Sequence, residues 1–302
     1  CFAYDPAKDE WDRHGCYTQW NTLTRAGDFI YVGTYPYGVL LEWDVREEWV
    51  RTVLDNPNSN PRAVGRAHQE IQRPYTVLAH PNNRHVIMGG MPDYGRTGGG
   101  LLFYDRETDA TDLLTHDQLV PWHYTYSLAA LPEGKILGGT TTRPANGGVK
   151  KAEGDAELYV LDISSKEVQW HDALIPGAGA YQDMIVGPDG KVFGTVDNTV
   201  FFVFDPAQRK IVHRKNLEED YGRTVSRQGA RVFVRVPDGR IFMLFDHCIG
   251  QLDPDTYEVT KVAEAPVKIG DGGAYLNGRI YFSAVHGAHL CSWEVRPVEA
   301  GK

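Results

Sequence analysis

One phrase recurs along this chain at intervals that only a repeat architecture explains. A short apolar or aromatic run ends on a carboxylate at Asp5, Asp44, Asp105, Asp162, Asp205, Asp253 and Glu294, at spacings of 39, 61, 57, 43, 48 and 41 residues. A second phrase precedes it. A tight turn, written Pro188-Asp189-Gly190 in its clearest copy, recurs at Gly27, Asn83, Gly134, Gly239 and Gly278. Proline presets φ for such a turn and glycine supplies its φ > 0 position. After each closing carboxylate comes a polar turn and another short strand, as at Glu167 to Trp170. Four short strands per repeat, with almost no 3.6-residue periodicity, predict an all-β chain.

One four-stranded sheet cannot hide both of its faces. Packing such sheets radially buries face against face and leaves short edges, so the repeat predicts a β-propeller of four-stranded antiparallel blades. A β-sandwich would not explain the recurring carboxylate. Seven copies favour seven blades, the first incomplete because Cys1 already lies in a third strand, and six blades are the alternative. The expected boundaries are one propeller domain over 1–297 and a tail over 298–302.

Composition narrows the function. The 32 glycines and 17 prolines fit a turn-rich β protein, and a net charge of −9 argues against a general nucleic-acid binder. No apolar run approaches the ~20 residues of a membrane span. The compartment stays open, with a secreted or periplasmic one preferred. Cys1, Cys16, Cys248 and Cys291 form no Cys-x-x-Cys pair. Cys1 and Cys16 could bridge, and buried free thiols are the other reading.

The repeat also sorts loops onto two ends. In an antiparallel meander, the lead-in to the first strand and the loop between the second and third lie at one end, and the Pro-Asp-Gly turns lie at the other. The turn end carries His80 and His85 but little to build a site with. The opposite end carries the long segments 91–100 and 140–154, and long loops on a rigid scaffold are where function usually sits. Registering the repeats on their turn residues places Gln19, Tyr75, Tyr126, Gln182, Arg231 and Gly270 at equivalent positions.

Tyr, Trp, Arg and Gln on one face suit a carbohydrate ligand. Aromatic rings stack on sugar C–H surfaces, amides pair with hydroxyls, and Arg binds a carboxylate bidentately. The candidate binding residues are Gln19, Trp20, Tyr35, Tyr75, Tyr94, Arg96, Arg143, Gln182, Arg227 and Arg231. Tyr37, Trp122 and Arg223 belong to the same pool. β-Elimination from a uronic acid needs a cation at the carboxylate, a base for the C5 proton and an acid for the leaving oxygen. His123, Tyr126, Tyr181, His247 and His286 are the candidates for base and acid. A divalent metal is a weaker option, with His247, His286 and His289 as ligands. Asp183, Asp197, Asp246 and Asp271 could hold calcium, although turn chemistry is the commoner use of such residues. The segment Gly95 to Gly100 opens no helix, so it is no phosphate cradle.

Through its Gly-Pro-Asp-Gly-Lys-Val-Phe-Gly phrase at 187–194 and Phe-Val-Phe-Asp-Pro at 202–206, the chain resembles seven-bladed β-propeller proteins. Within that class its His/Tyr/Arg-rich face looks like the propeller-fold polysaccharide lyases acting on uronic-acid sugars. The resemblance implies a carbon–oxygen lyase. The three-His-plus-Gln manganese set of oligogalacturonate lyases has no linear counterpart here, and Trp43-Asp44 is a single Trp-Asp dipeptide. The alternatives are a non-catalytic glycan- or protein-binding propeller and a metal-dependent hydrolase or lactonase.

Overall fold

A computed structural model describes residues 1–225, 231–285 and 289–297. The chain divides into two compact units, Cys1–Ala173 and Leu174–Lys302. Unit 1 opens with a two-stranded hairpin, β1 (Phe2–Asp5) and β2 (Glu10–Arg13). Its first blade is β3 (Gln19–Ala26), β4 (Phe29–Tyr35), β5 (Val39–Asp44) and β6 (Arg62–Arg66). The second is β7 (Arg73–Ala79), β8 (His85–Met91), β9 (Gly100–Asp105) and β10 (Ala110–Thr115). The third is β11 (Tyr124–Leu131), β12 (Lys135–Thr141), β13 (Leu158–Asp162) and β14 (Glu167–Asp172).

Unit 2 continues the pattern. Its first blade is β15 (Tyr181–Val186), β16 (Val192–Val196), β17 (Val200–Asp205) and β18 (Lys210–Asn216). Next come β19 (Phe233–Arg235), β20 (Ile241–Leu244), β21 (Cys248–Leu252) and β22 (Val259–Glu264). The last sheet has three strands among the described residues, β23 (Ile269–Leu276), β24 (Arg279–Ala284) and β25 (Leu290–Glu294). Every pairing is antiparallel between chain neighbours. The protein is thus an all-β propeller of four-stranded antiparallel blades, with six blades among the described residues rather than the favoured seven. The reason for the difference lies at the first repeat. Its closing motif becomes β1, which among the described residues pairs only with β2 and builds a hairpin instead of a blade.

The recurring carboxylate has a local cause. Asp105 Oδ1 accepts the N–H groups of Glu107 and Thr108 at 2.9 and 3.4 Å. Asp162 does the same for Ser164 and Ser165, Asp205 for Ala207 and Gln208, and Asp253 for Asp255 and Thr256. Four residues after each carboxylate the backbone turns left-handed, at Asp109 (φ 56°), Lys166 (φ 59°), Arg209 (φ 54°) and Tyr257 (φ 63°). The motif is therefore the turn joining third and fourth strands, where Asp satisfies N–H groups that the ladder cannot reach.

In the four-stranded blades the second and third strands are nearly all buried, whereas the fourth strands face solvent, as in β18, whose residues alternate between exposed and half-buried. Tyr31, Leu40, Met88 and Leu102 fill the contact between the first two blades. Ile87, Leu101, Leu128 and Tyr159 fill the next. In unit 2, Phe193, Phe201, Phe242 and Ile280 do the same work. Close approach needs glycine at one point in each contact. A Cβ on Gly33 would stand 2.7 Å from Pro74 Cβ, and one on Gly89 would stand 2.9 Å from Thr125 Cβ. All four cysteines are free, and burial pushes the Cys248 thiol up to about 11.

Five of the six first strands share one irregularity, a bulge near the start, at Asn21, Tyr75, Tyr126, Gln182 and Gly270. The exception is β19, which pairs with β20 without a shift, and Arg231 lies just before it. A bulge re-aims a side chain and bends the strand. The register confirms the sequence alignment at Tyr75, Tyr126, Gln182 and Gly270. In the first blade the equivalent residue is Asn21, not Gln19, because the turn at Gly27 spans only two residues; the equally short turn at Gly278 is offset by a second irregularity between Asp271 and Ala274. Gln19 lies exposed at the strand's edge opposite Tyr35.

Candidate functional site

Two bulges of unit 1 bring tyrosines together. Tyr75 stacks on Tyr126 with ring centroids 4.4 Å apart, and Tyr124 completes a triad at 5.9 Å from Tyr75 and 6.2 Å from Tyr126. Met91 and Ala145 pack beneath them. Burial pushes all three phenols above their ordinary value, and the Arg143 charge partly offsets this. They stay protonated at neutral pH, so each offers a hydroxyl that donates one hydrogen bond and can accept another.

Beside them lies a second pair. The Tyr35 and Tyr94 hydroxyl oxygens are 2.5 Å apart, and the Arg73 guanidinium carbon sits 4.1 Å from the Tyr35 ring centroid. Tyr35 ends β4, Arg73 opens β7 and Tyr94 comes from the loop after β8, so three segments at the same end of two blades converge. The hydroxyl contact with Tyr94, then Arg73, lowers the Tyr35 pKa, while the Tyr94 pKa rises. Either hydroxyl can be the donor of this contact. Arg73 Nε is a buried donor with no partner among the described residues, and the Asn21 amide leaves both its Nδ2 donor and its Oδ1 acceptor in the same state. Orphaned buried polar atoms are expensive unless a ligand or water meets them.

Unit 2 uses its bulge differently. Gln182 is buried, and its Oε1 accepts the Asn198 N–H at 2.5 Å. Asp183 follows it and accepts the N–H groups of Val232 and Phe233 at 2.5 and 3.2 Å, tying β15 to the start of β19. Burial pushes the Asp183 carboxyl up to about 7, against those hydrogen bonds and the Arg231 charge. Arg231 is itself pushed down by burial, with Asp183 opposing. Both directions say that desolvation outweighs the mutual attraction of the pair.

The remaining sequence candidates fall outside these clusters. His123 is buried, with Nδ1 2.8 Å from Pro121 O and Nε2 3.3 Å from Asp155 O. Both ring nitrogens thus face backbone carbonyl oxygens rather than solvent. Tyr181 is fully buried, its ring edge-on to Phe202 at 5.3 Å. His247 lies exposed in the turn between β20 and β21, 3.6 Å from Asp246. His289 is exposed, and His286 and Arg227 lie outside the described residues. Among the described residues no three His, Cys, Asp or Glu side chains converge as a metal site. Trp20 packs with Trp43 and Trp49 at 6.2 and 5.9 Å, away from the tyrosines. Arg96 is exposed and held by Glu70 at 3.2 Å and Gln69 at 2.6 Å. Arg143 is exposed above the triad.

Sequence reasoning reached Tyr35, Tyr75, Tyr94, Tyr126 and Arg143 of this cluster but missed Arg73 as its cation. The available signal was its place two residues before a bulge, in Arg73-Pro74-Tyr75.

No family model matches the chain, and no curated protein does. Among solved structures, the chain is similar to the streptogramin B lyase structure, at 11% identity and a TM-score of 0.60, covering 93% of this chain and 84% of that one. It is also similar to the extracellular domain of a one-component system from B. thetaiotaomicron, at 12% identity and a TM-score of 0.58. That match covers 92% of this chain, which spans 36% of the larger protein. At such identities the likeness shows the propeller fold and nothing finer.

Proposed function

We propose that this protein binds an acidic, uronate-containing glycan at the tyrosine–arginine cluster of unit 1 and cleaves it by β-elimination. The observation that carries this reading is Arg73 stacked on a phenol whose pKa is lowered, 2.5 Å from a second phenol whose pKa is raised. Arg73 pairs with the sugar carboxylate and makes the C5 proton more acidic. Tyr35 oxygen takes that proton. The C5–H electrons form the C4=C5 bond, the C4–O bond breaks, and Tyr94 returns a proton to the leaving oxygen. Tyr75 supplies a partly exposed ring on which the sugar C–H face stacks, fixed from behind by Tyr126. The roles of His123 and Tyr181 pass to the tyrosine pair, because both of those side chains are buried.

A panel of uronate polysaccharides, assayed by absorbance of the conjugated unsaturated product, tests this. Product formation by the wild type, lost on Tyr35→Phe, is the expected result. Tight binding with no product from any member of the panel would reduce the protein to a glycan-binding propeller. That second reading draws on the five tyrosine rings and two arginines, which need no acid–base pair to hold a sugar.

A further inference from the structure

Unit 1 holds another cavity that the cluster above does not use. The loop after β8 and the long loop after β12 zip together through Gly95 N–H to Asn146 O at 2.9 Å, Ala145 N–H to Arg96 O at 3.1 Å, and the Thr97 hydroxyl to Val149 O. Beside this zipper lies a pocket of about 400 Å³, lined by Glu70, Arg96, His116, Asp117, Trp122 and Lys151, with the Asp117 carboxylate 3.1 Å from His116 Nδ1. Its volume is in the range that small ligands fill. Its floor is fixed. Trp122 N–H donates to His116 Nδ1 at 3.1 Å, the two rings lie 4.6 Å apart, and Gly98 abuts the imidazole so closely that a Cβ would stand 2.0 Å from His116 Cδ2.

The pocket's charges are arranged unequally. Arg96 is held by Glu70 and Gln69. Lys151 has no carboxylate partner among the described residues, and its ammonium rests 4.2 Å from the Trp122 ring centroid. A cation–π contact at an exposed site is weak, so an arriving anion draws the ammonium off the ring. That movement uncovers the indole face. An anionic group and a flat C–H surface on one molecule satisfy both at once, and a carboxylated pyranose carries both. Arg96 stands two residues from Tyr94, at most about 7 Å between Cα atoms, which is a spacing that neighbouring sugars of one chain can bridge.

We propose that this pocket is a second subsite, taking another carboxylated sugar of the same glycan chain with Lys151 on its carboxylate and Trp122 on its ring face. The assignment rests on the acidic-glycan reading of the tyrosine–arginine cluster. The test is calorimetric titration of the wild type, Lys151→Glu and Trp122→Ala with a uronate monosaccharide and the corresponding trisaccharide. The wild type is expected to bind the trisaccharide about tenfold more tightly than the monosaccharide. Lys151→Glu, at an exposed position where folding is not at risk, is expected to remove that preference for length, and Trp122→Ala to reduce it. Unchanged trisaccharide affinity in both variants would overturn the subsite, and if Arg73→Ala abolished binding in the same experiment the cluster would stand alone. Failure of the wild type to bind either sugar would sink both readings.

Discussion

The two units apply one backbone device to opposite chemistry. In both, a bulge near the start of a first strand turns one residue out of the ladder. Unit 1 places tyrosines there and surrounds them with Arg73 and Arg143. Unit 2 places Gln182 there and follows it with a half-buried residue, Asp183, whose desolvated carboxylate faces the Arg231 charge. The tyrosine cluster keeps the orphaned Arg73 Nε–H beside a phenol whose pKa is lowered. The Asp183 carboxylate spends its hydrogen bonds internally, joining two blades through Val232 and Phe233. The first arrangement gathers a cation and phenols at strand ends, and the second ties two blades at an electrostatic cost.

The sharpest way to break this contrast is to remove the unit 1 phenol that ionises. Tyr35→Phe is expected to lower the elimination rate by about 10²–10⁴-fold while the variant still binds glycan. The wild-type rate should climb with pH as Tyr35 loses its proton, with an apparent pKa below that of an ordinary phenol. An equal loss from Asp183→Asn would reverse the assignment of roles.

Binding comes next in size. Arg73→Ala is expected to weaken binding of an acidic oligosaccharide by about tenfold to a hundredfold, read by calorimetry. Tyr75→Ala removes one stacking face and is expected to cost about three- to tenfold.

Unit 2 should answer to stability measurements instead. The folded state holds the Asp183 proton up to about pH 7, whereas the unfolded chain releases it near 3.8. In that window the folded state binds more protons, so this group's contribution to stability falls as pH rises. The fall is at most roughly 4 kcal/mol, trimmed by the water that still reaches this partly exposed residue. Denaturant titrations at pH 5 and pH 8 should show that slope in the wild type and a flatter one in Asp183→Asn. The smallest effect is expected from Asp205→Ala, which removes the acceptor for Ala207 and Gln208 N–H in an exposed turn and costs about 1 kcal/mol.

Much of the architecture was legible because its signals are local. The closing Asp recurs since only a short acceptor can satisfy the two N–H groups that follow it, and that requirement is written wherever the turn is. The same locality misled the blade count. Phe2 to Asp5 carries the motif and makes its turn, with Asp5 accepting Ala7 N–H at 2.9 Å, but a turn does not require a blade. Register was legible at Tyr75, Tyr126 and Gln182, where the turns are longer than two residues, and slipped by two at Gln19, where a two-residue turn has no second bulge to offset it as at Gly270.

The site was legible only in part for a different reason. Tyr35, Tyr94 and Arg73 lie up to 59 residues apart in sequence, and their convergence depends on how blades pack. Whether a histidine is engaged depends on partners such as Asp155 O, 32 residues from His123. Neither distance leaves a trace in composition or spacing.

The central claim is that a carboxylate is what the unit 1 cluster recognises. The most direct test titrates the wild type with a uronate oligosaccharide and with the same oligosaccharide after reduction of its carboxyl groups to alcohols. The account predicts binding of the acidic form, and weak or absent binding of the reduced one, with Arg73→Ala binding both weakly. Equal affinity of the wild type for the two forms, or binding of the acidic form undiminished by Arg73→Ala, would contradict it.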